Sequence, residues 1–261
     1  MEYFKSKQVL VTGASSGIGI AFSRHLASCG ASLIITSRRK ERLDQLSQEL
    51  ESEFGTGVTV IPCDLSKPDG ARQLFQELQE RNLIVDILIN NAGFGYNGRF
   101  EEGDAEMYEQ MMQVNMNSLV MLTRLLLPGM LERNRGGILN VASMAGFLPI
   151  PWFAIYSASK QFVINFSWSL WRELKHTDID VNVLCPGPVD TEFFDVAKVD
   201  QRKAAFRGVQ TPEEVARRGL SGLVRNRGLT LSKPFLRIPY LASKWLPVKI
   251  GLLLGEMAMK K

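Results

Sequence analysis

The chain has 261 residues, 45% hydrophobic and 22% charged, enough apolar material for a full-sized core with nothing suggesting disorder. Three scattered cysteines (Cys29, Cys63, Cys185) argue against a disulfide framework or zinc ribbon, and two histidines (His25, His176) leave little room for a metal site or a Ser–His–Asp hydrolase, so no metal is expected. The net charge of +4 is concentrated in residues 231–261, with six Lys/Arg against one acid; the rest is nearly neutral, which excludes a nucleic-acid-binding body.

No secretory leader precedes the first predicted strand, and no apolar run reaches the ~20 residues that span a bilayer, so the expectation is a soluble, cytoplasmic protein. Short β-branched runs then alternate with amphipathic ones. Strands are predicted over 9–12, 32–36, 58–62, 84–90, 137–142 and 179–185, with helices over 19–29, 40–53, 71–81, 105–132 and 154–175 between them. Runs such as Ile87-Leu88-Ile89 are apolar on both faces, as in a parallel sheet covered by helices on each side. The pattern predicts one α/β domain with a Rossmann-type doubly wound sheet. Past Pro186 the rhythm loosens. Residues 188–235 hold a helix over 212–225 and a weak strand over 229–231, and are expected to form a substrate lid. Residues 236–261 form a basic, apolar tail.

Thr12-Gly13-Ala14-Ser15-Ser16-Gly17-Ile18-Gly19 joins the first strand to the first helix. Glycines let backbone approach a pyrophosphate closely, and a helix N-terminus offers it free N–H groups, so this turn is expected to hold a dinucleotide. The second strand ends in Ser37-Arg38-Arg39-Lys40, without the acid that usually holds the ribose 2′-hydroxyl of NAD. Cations at a helix start oppose its dipole unless an anion meets them, so Arg38 and Arg39 point to the 2′-phosphate of NADP, with NAD the less favoured cofactor.

Tyr156 and Lys160 stand one helical turn apart on one face, where a cation would draw the phenol's pKa down from about 10 and make it a usable proton donor. Tyr3/Lys7 and Tyr240/Lys244 share the Y-x-x-x-K spacing, but only Tyr156 follows a strand ending in a serine, Ser143. Together these motifs resemble, over about residues 7–192, the short-chain dehydrogenase/reductase family in its single-domain branch. The resemblance implies a catalytic tetrad of Asn115, Ser143, Tyr156 and Lys160, with Asn117 a competitor for the first position. It also implies cofactor contacts from Thr12, Gly13, Ser15, Ser16, Gly17, Ile18 and Gly19, from Asp64 and Leu65 at the adenine, and from Asn90, Asn91, Ala92 and Gly93 at the adenine ribose. Pro186, Gly187, Val189 and Thr191 would hold the nicotinamide carboxamide. The implied reaction is hydride transfer between NADP(H) and a carbonyl or secondary alcohol, carbonyl reduction being the favoured direction. A catalytically quiet NADP-binding regulator is the alternative.

The apolar run Phe147-Leu148-Pro149-Ile150-Pro151-Trp152-Phe153, with Phe94, Tyr96, Phe193 and Phe194, suggests an apolar ketone or aldehyde as substrate. Met107, Met111, Met112, Met116 and Met121 read as core or subunit interface, as do Trp168 and Trp171, in keeping with a homodimer or homotetramer. The tail, a short helix opened by Pro247, fits either a neighbouring subunit or an anionic membrane surface; subunit docking is the commoner fate and is the expectation.

Overall fold

The computed structural model describes residues 2–199, 208–245 and 247–259; part of the expected lid, 200–207, and Lys260-Lys261 of the tail lie outside the described residues. Seven strands, all parallel, form one sheet in the order β3-β2-β1-β4-β5-β6-β7. They are β1 (Gln8–Thr12), β2 (Ser32–Thr36), β3 (Val58–Val60), β4 (Ile87–Asn90), β5 (Gly136–Val141), β6 (Ile179–Cys185) and β7 (Gly228–Leu231). Alternate side chains leave a strand on opposite faces, so the pleat sorts the core into two layers. Val9, Val11, Leu33, Ile35, Ile87 and Ile89 face α1 (Gly17–Ser28), α2 (Lys40–Phe54) and α8 (Pro212–Val224). Leu10, Ile34, Leu88, Ile138 and Val181 face α3 (Gly70–Glu80), α5 (Leu119–Glu132) and α6 (Ala154–Glu173). The second layer also encloses a polar chain: Asn90 Nδ2 donates to Asn140 Oδ1 (2.9 Å) and Thr123 Oγ1 (3.1 Å), and Asn140 Nδ2 donates to Ser167 Oγ (2.9 Å). Paired this way, buried amides fix strand register instead of penalising it.

Four elements depart from the sequence expectation. β4 begins at Ile87 and not at 84, and Ile84 is exposed. β3 ends at Val60: Ile61 N still reaches Ile35 O (3.1 Å), but Pro62 has no N–H with which to extend the ladder. The 105–132 helix is interrupted, running as α4 (Ala105–Met112), a π-helical turn (Gln113–Ser118) and then α5. As one run, Ala105–Glu132 is long and apolar enough to cross a membrane by length and composition. It lies instead along the sheet, with Leu119, Leu122 and Met130 buried. Finally, the expected lid divides. α8 is core: Thr211 caps it by accepting from Glu214 N (3.2 Å), Pro212 opens it, and Val215, Ala216, Leu220 and Leu223 are fully buried. β7 pairs with β6 in register from Asn182↔Gly228 to Cys185↔Leu231. What overhangs the carboxyl edge of the sheet is the segment after β6, with the short helix α7 (Phe193–Val196). The chain closes with α9 (Arg237–Trp245) and α10 (Val248–Met259).

Candidate active site

Strand order reverses between β1 and β4, so their carboxyl ends part to form a crevice. Thr12 and Asn91 stitch its floor. The Thr12 hydroxyl donates to Ile89 O (3.3 Å) and accepts from the N–H groups of Asn91 and Ala92 (3.0 Å each). Asn91 Nδ2 in turn donates to Thr12 O (2.9 Å) and Gly13 O (3.2 Å). The glycine turn lies on this floor with no room for side chains. Gly13 has φ +65°, and a Cβ there would stand 2.9 Å from Ala92 Cα; one on Gly19 would stand 2.2 Å from Gly13 O. The first turn of α1 carries no acid, and the Ser16 side chain makes no capping bond. The N–H groups opening α1 are thereby left for an anion, the arrangement that suits a pyrophosphate.

One cavity of about 580 Å³ is lined by every expected cofactor and catalytic residue except Thr12, Gly19, Asn90 and Asn115, which lie behind it. At the end of the cavity beyond β3, Asp64 Oδ1 accepts from Ser66 N (3.0 Å) and Ser66 Oγ (2.7 Å). Burial opposes its charge, but these bonds and the nearby Arg38 and Lys67 cations outweigh it and hold the carboxyl below its ordinary range. The two arginines differ. Arg38 lines the cavity and makes no ion pair with a described residue, whereas Arg39 is anchored: Nε donates to Ser15 Oγ (3.1 Å) and Nη1 to Glu192 Oε2 (3.0 Å). Arg42 holds the other oxygen of Glu192 (2.7 Å), so one carboxylate from the segment after β6 spans both arginines across the crevice mouth. Ser15 sits in a G-x-S-x-G run (Gly13–Gly17), but its hydroxyl serves Arg39 and no histidine bonds to it, so it is no hydrolase nucleophile.

At the other end, β5 delivers Ser143 and α6 delivers Tyr156 and Lys160. Ser143 faces the Tyr156 phenol closely enough to lower its pKa, and Ser143 Oγ accepts from Ala145 N (3.1 Å). The Tyr156 ring lies against Phe153 and Phe193, with centroids at 4.5 and 5.2 Å. Here the sequence expectation fails on one point. Burial pushes the Tyr156 phenol up to about 12 despite the lowering by Ser143, and burial pulls the Lys160 ammonium down to about 8. Desolvation exceeds the mutual attraction, because Lys160 Nζ turns to Val141 O (2.9 Å) and stands 5.7 Å from the Tyr156 ring centre.

The π-helical turn explains Asn115. One extra residue in the turn swings Asn115 inward, where it is buried, and leaves Asn117 exposed on Gln113 (2.9 Å). Asn115 clasps the Phe94 backbone, accepting from its N–H (3.1 Å) and donating to its carbonyl (3.0 Å). Its amide also donates to Ser159 Oγ (3.1 Å), and that hydroxyl donates to Tyr156 O (2.7 Å). Gly93 lies between the two sides: a Cβ there would stand 3.0 Å from Asn115 Oδ1 and 3.2 Å from Lys160 Nζ. The other two Y-x-x-x-K pairs lie elsewhere. Tyr3 donates to Asp180 (2.7 Å) at the opposite edge of the sheet, under the Lys7 ammonium, while Tyr240 packs on Phe147 and Trp168. Asn90 belongs to the buried amide chain and not to the adenine-ribose side. Ser159 and Glu192 carried no sequence signal. The first is an ordinary helical serine, and the second meets its arginines across some 150 residues of chain.

A parallel dinucleotide fold with Ser, Tyr and Lys gathered beside its crevice defines a nucleotide-dependent oxidoreductase. The short chain dehydrogenase profile matches residues 7–202. The chain belongs to this family. It is 35% identical over 218 residues to ketoacyl reductase HetN of a Nostoc species, covering 83% of this chain and 75% of that protein. Among solved structures it is similar to a short-chain dehydrogenase from Sphingobium yanoikuyae in complex with NADPH (TM-score 0.84, 32% identity, 91% and 92% of the two chains). It is also similar to a family member from Burkholderia phymatum in complex with NAD (TM-score 0.83, 26% identity, 92% and 94%).

Proposed function

We propose that the chain is an NADP(H)-dependent reductase of apolar ketones or aldehydes. The observation that carries this reading is that Ser143, Tyr156 and Lys160 line one cavity, walled by Phe94, Phe147, Leu148, Phe153 and Phe193. The donor set fits a nicotinamide dinucleotide: the 13–18 turn for the pyrophosphate, Arg38 for a 2′-phosphate, Asp64 and Leu65 for the adenine, and Pro186, Gly187, Val189 and Thr191 at the nicotinamide end. Bound there, the cofactor supplies the hydride.

The remaining work falls to the chain itself. Ser143 donates to the substrate oxygen and stabilises the negative charge that grows on it. Tyr156 Oη gives that oxygen its proton; with a pKa near 12 the phenol is fully protonated at neutral pH, the form that reduction requires. Lys160 and Asn115 face each other across Gly93 and hold the path by which the phenol regains a proton. The phenyl rings exclude water. The presence of all four tetrad side chains argues against the quiet-regulator alternative. The test is NADPH and NADH consumption over a panel of ketones and aldehydes graded in apolarity. Turnover that is faster with NADPH and rises with apolar size supports the proposal; preference for NADH, or no turnover with either cofactor, overturns it.

A further inference from the structure

The two C-terminal helices are packed inside out. On α9, Ile238, Leu241 and Trp245 recur at i, i+3 and i+7 and so share one face. That face points away from the protein, with the three side chains 74%, 54% and 86% exposed. On α10 the small residues turn inward: a Cβ on Gly251 would meet Leu148 Cδ2 at 2.9 Å, and one on Gly255 would meet Pro149 O at 3.0 Å. The larger Val248 (66%) and Leu253 (57%) face out. Of the fourteen large hydrophobic residues exposed among the described residues, eight fall between Phe235 and Leu253. A surface of this kind is rare unless something covers it.

Charge distinguishes the possible occupants. The stretch 235–253 contains Arg237, Lys244 and Lys249 and no Asp or Glu. None of these cations is in an ion pair with a described residue, and Lys244 lies over the rings of Trp168 and Tyr240. On α9, Arg237 and Lys244 are seven residues apart and border the apolar face along one edge. A second copy of the chain docked through this surface would be related by a two-fold axis, setting three cations against three. An anionic bilayer instead accepts the aliphatic side chains below its headgroups, the indole at the interface and the cations among the phosphates. Position adds a further reason. Pro239 and Gly255 line the cavity that holds Ser143 and Tyr156, and Leu148, on which Gly251 rests, lines it too.

We infer that α9 and α10 dock this protein on an anionic lipid surface, with the wall of its substrate cavity against the bilayer. The docking is independent of the activity proposed above, because it is measured without turnover. The experiment is flotation of the purified full-length chain with vesicles of phosphatidylcholine alone or mixed with phosphatidylglycerol. The expected result is co-flotation with the mixed vesicles that weakens with salt, at least tenfold weaker association with phosphatidylcholine alone, and loss of association in Leu241→Glu/Trp245→Glu. Arg237→Gln/Lys249→Gln should lose the preference for phosphatidylglycerol. These side chains are exposed, so the variants should keep the circular dichroism of the parent. Failure of the parent chain to float, or undiminished flotation of Leu241→Glu/Trp245→Glu, overturns the inference. So does a parent oligomer that this variant dissolves in light scattering while the parent ignores vesicles, which would assign the surface to a second copy.

Discussion

Burial of Lys160 has a consequence that unfolding measurements can read. Its ammonium is taken from an ordinary pKa of 10.5 to about 8 in the folded chain, a cost of about 3 kcal/mol for the charged form. The sign follows from proton counting. Between those two values the unfolded chain binds the proton and the folded chain does not, so stability rises with pH across the window. Lys160→Met keeps a similar volume and removes the titration, and contributions from all other groups largely cancel in the difference between the two proteins. Urea unfolding of cofactor-free parent and variant at pH 7, 8, 9 and 9.5 should therefore show the parent gaining on the variant by about 2 kcal/mol from the first pH to the last. Opposing Tyr156 titration, from 10 to about 12, only begins at the top of this range and is shared by both proteins. The lost bond to Val141 O shifts the whole difference by a constant and leaves its slope intact. A difference flat with pH would refute the reasoning and mean that Lys160 keeps an ordinary pKa in the fold.

Arg38→Ala removes a cavity-lining cation that makes no ion pair with a described residue, and should shrink the NADPH-over-NADH preference in kcat/KM by about tenfold to a hundredfold, or about 1.5–3 kcal/mol; an unchanged ratio would move the 2′-phosphate contact elsewhere. Glu192→Gln frees Arg39 and Arg42, so NADPH titration at low salt should show tighter binding, while stability moves by less than about 1 kcal/mol because all three side chains are largely exposed. Weaker NADPH binding in that variant would show that the bridge helps shape the site. Gly19→Ala places a methyl against Gly13 O and should abolish cofactor binding and lower stability by about 2 kcal/mol, read by fluorescence titration and urea unfolding; retained binding would show that the turn can yield.

The alternation of elements and the layering of the fold were legible because central strands such as Ile87-Leu88-Ile89 are apolar on both faces and the stretches between are amphipathic, a pattern that fits a covered parallel sheet. β7 was the weakest strand to read. Gly228-Leu229-Thr230-Leu231 is short, and what makes it a strand is the long edge of β6 beside it. The sequence places α8 in a lid because its apolar face, Val215, Ala216, Leu220 and Leu223, says only that it packs, not that it packs on α1. In the site, the glycine turn, Ser143, Tyr156 and Lys160 were visible through spacing. Their electrostatics were not. The spacing brings an ammonium near a phenol, but the sign of the Tyr156 shift depends on burial and on the Lys160 bond to Val141 O, both tertiary facts. Asn115 could be separated from Asn117 only by the π-helical turn, which no periodicity announces. The tail was legible as basic and apolar, but which face turns outward came from the packing of Gly251 and Gly255.

The most direct test of the proposed chemistry is Tyr156→Phe. The ring and its contacts with Phe153 and Phe193 remain, and only the hydroxyl is lost. NADPH consumption on the best ketone, measured beside NADPH affinity by fluorescence titration, should show turnover falling by about 10²–10⁴-fold with affinity changed by no more than a few-fold. Near-normal turnover by Tyr156→Phe would contradict the assignment of this residue as the proton donor.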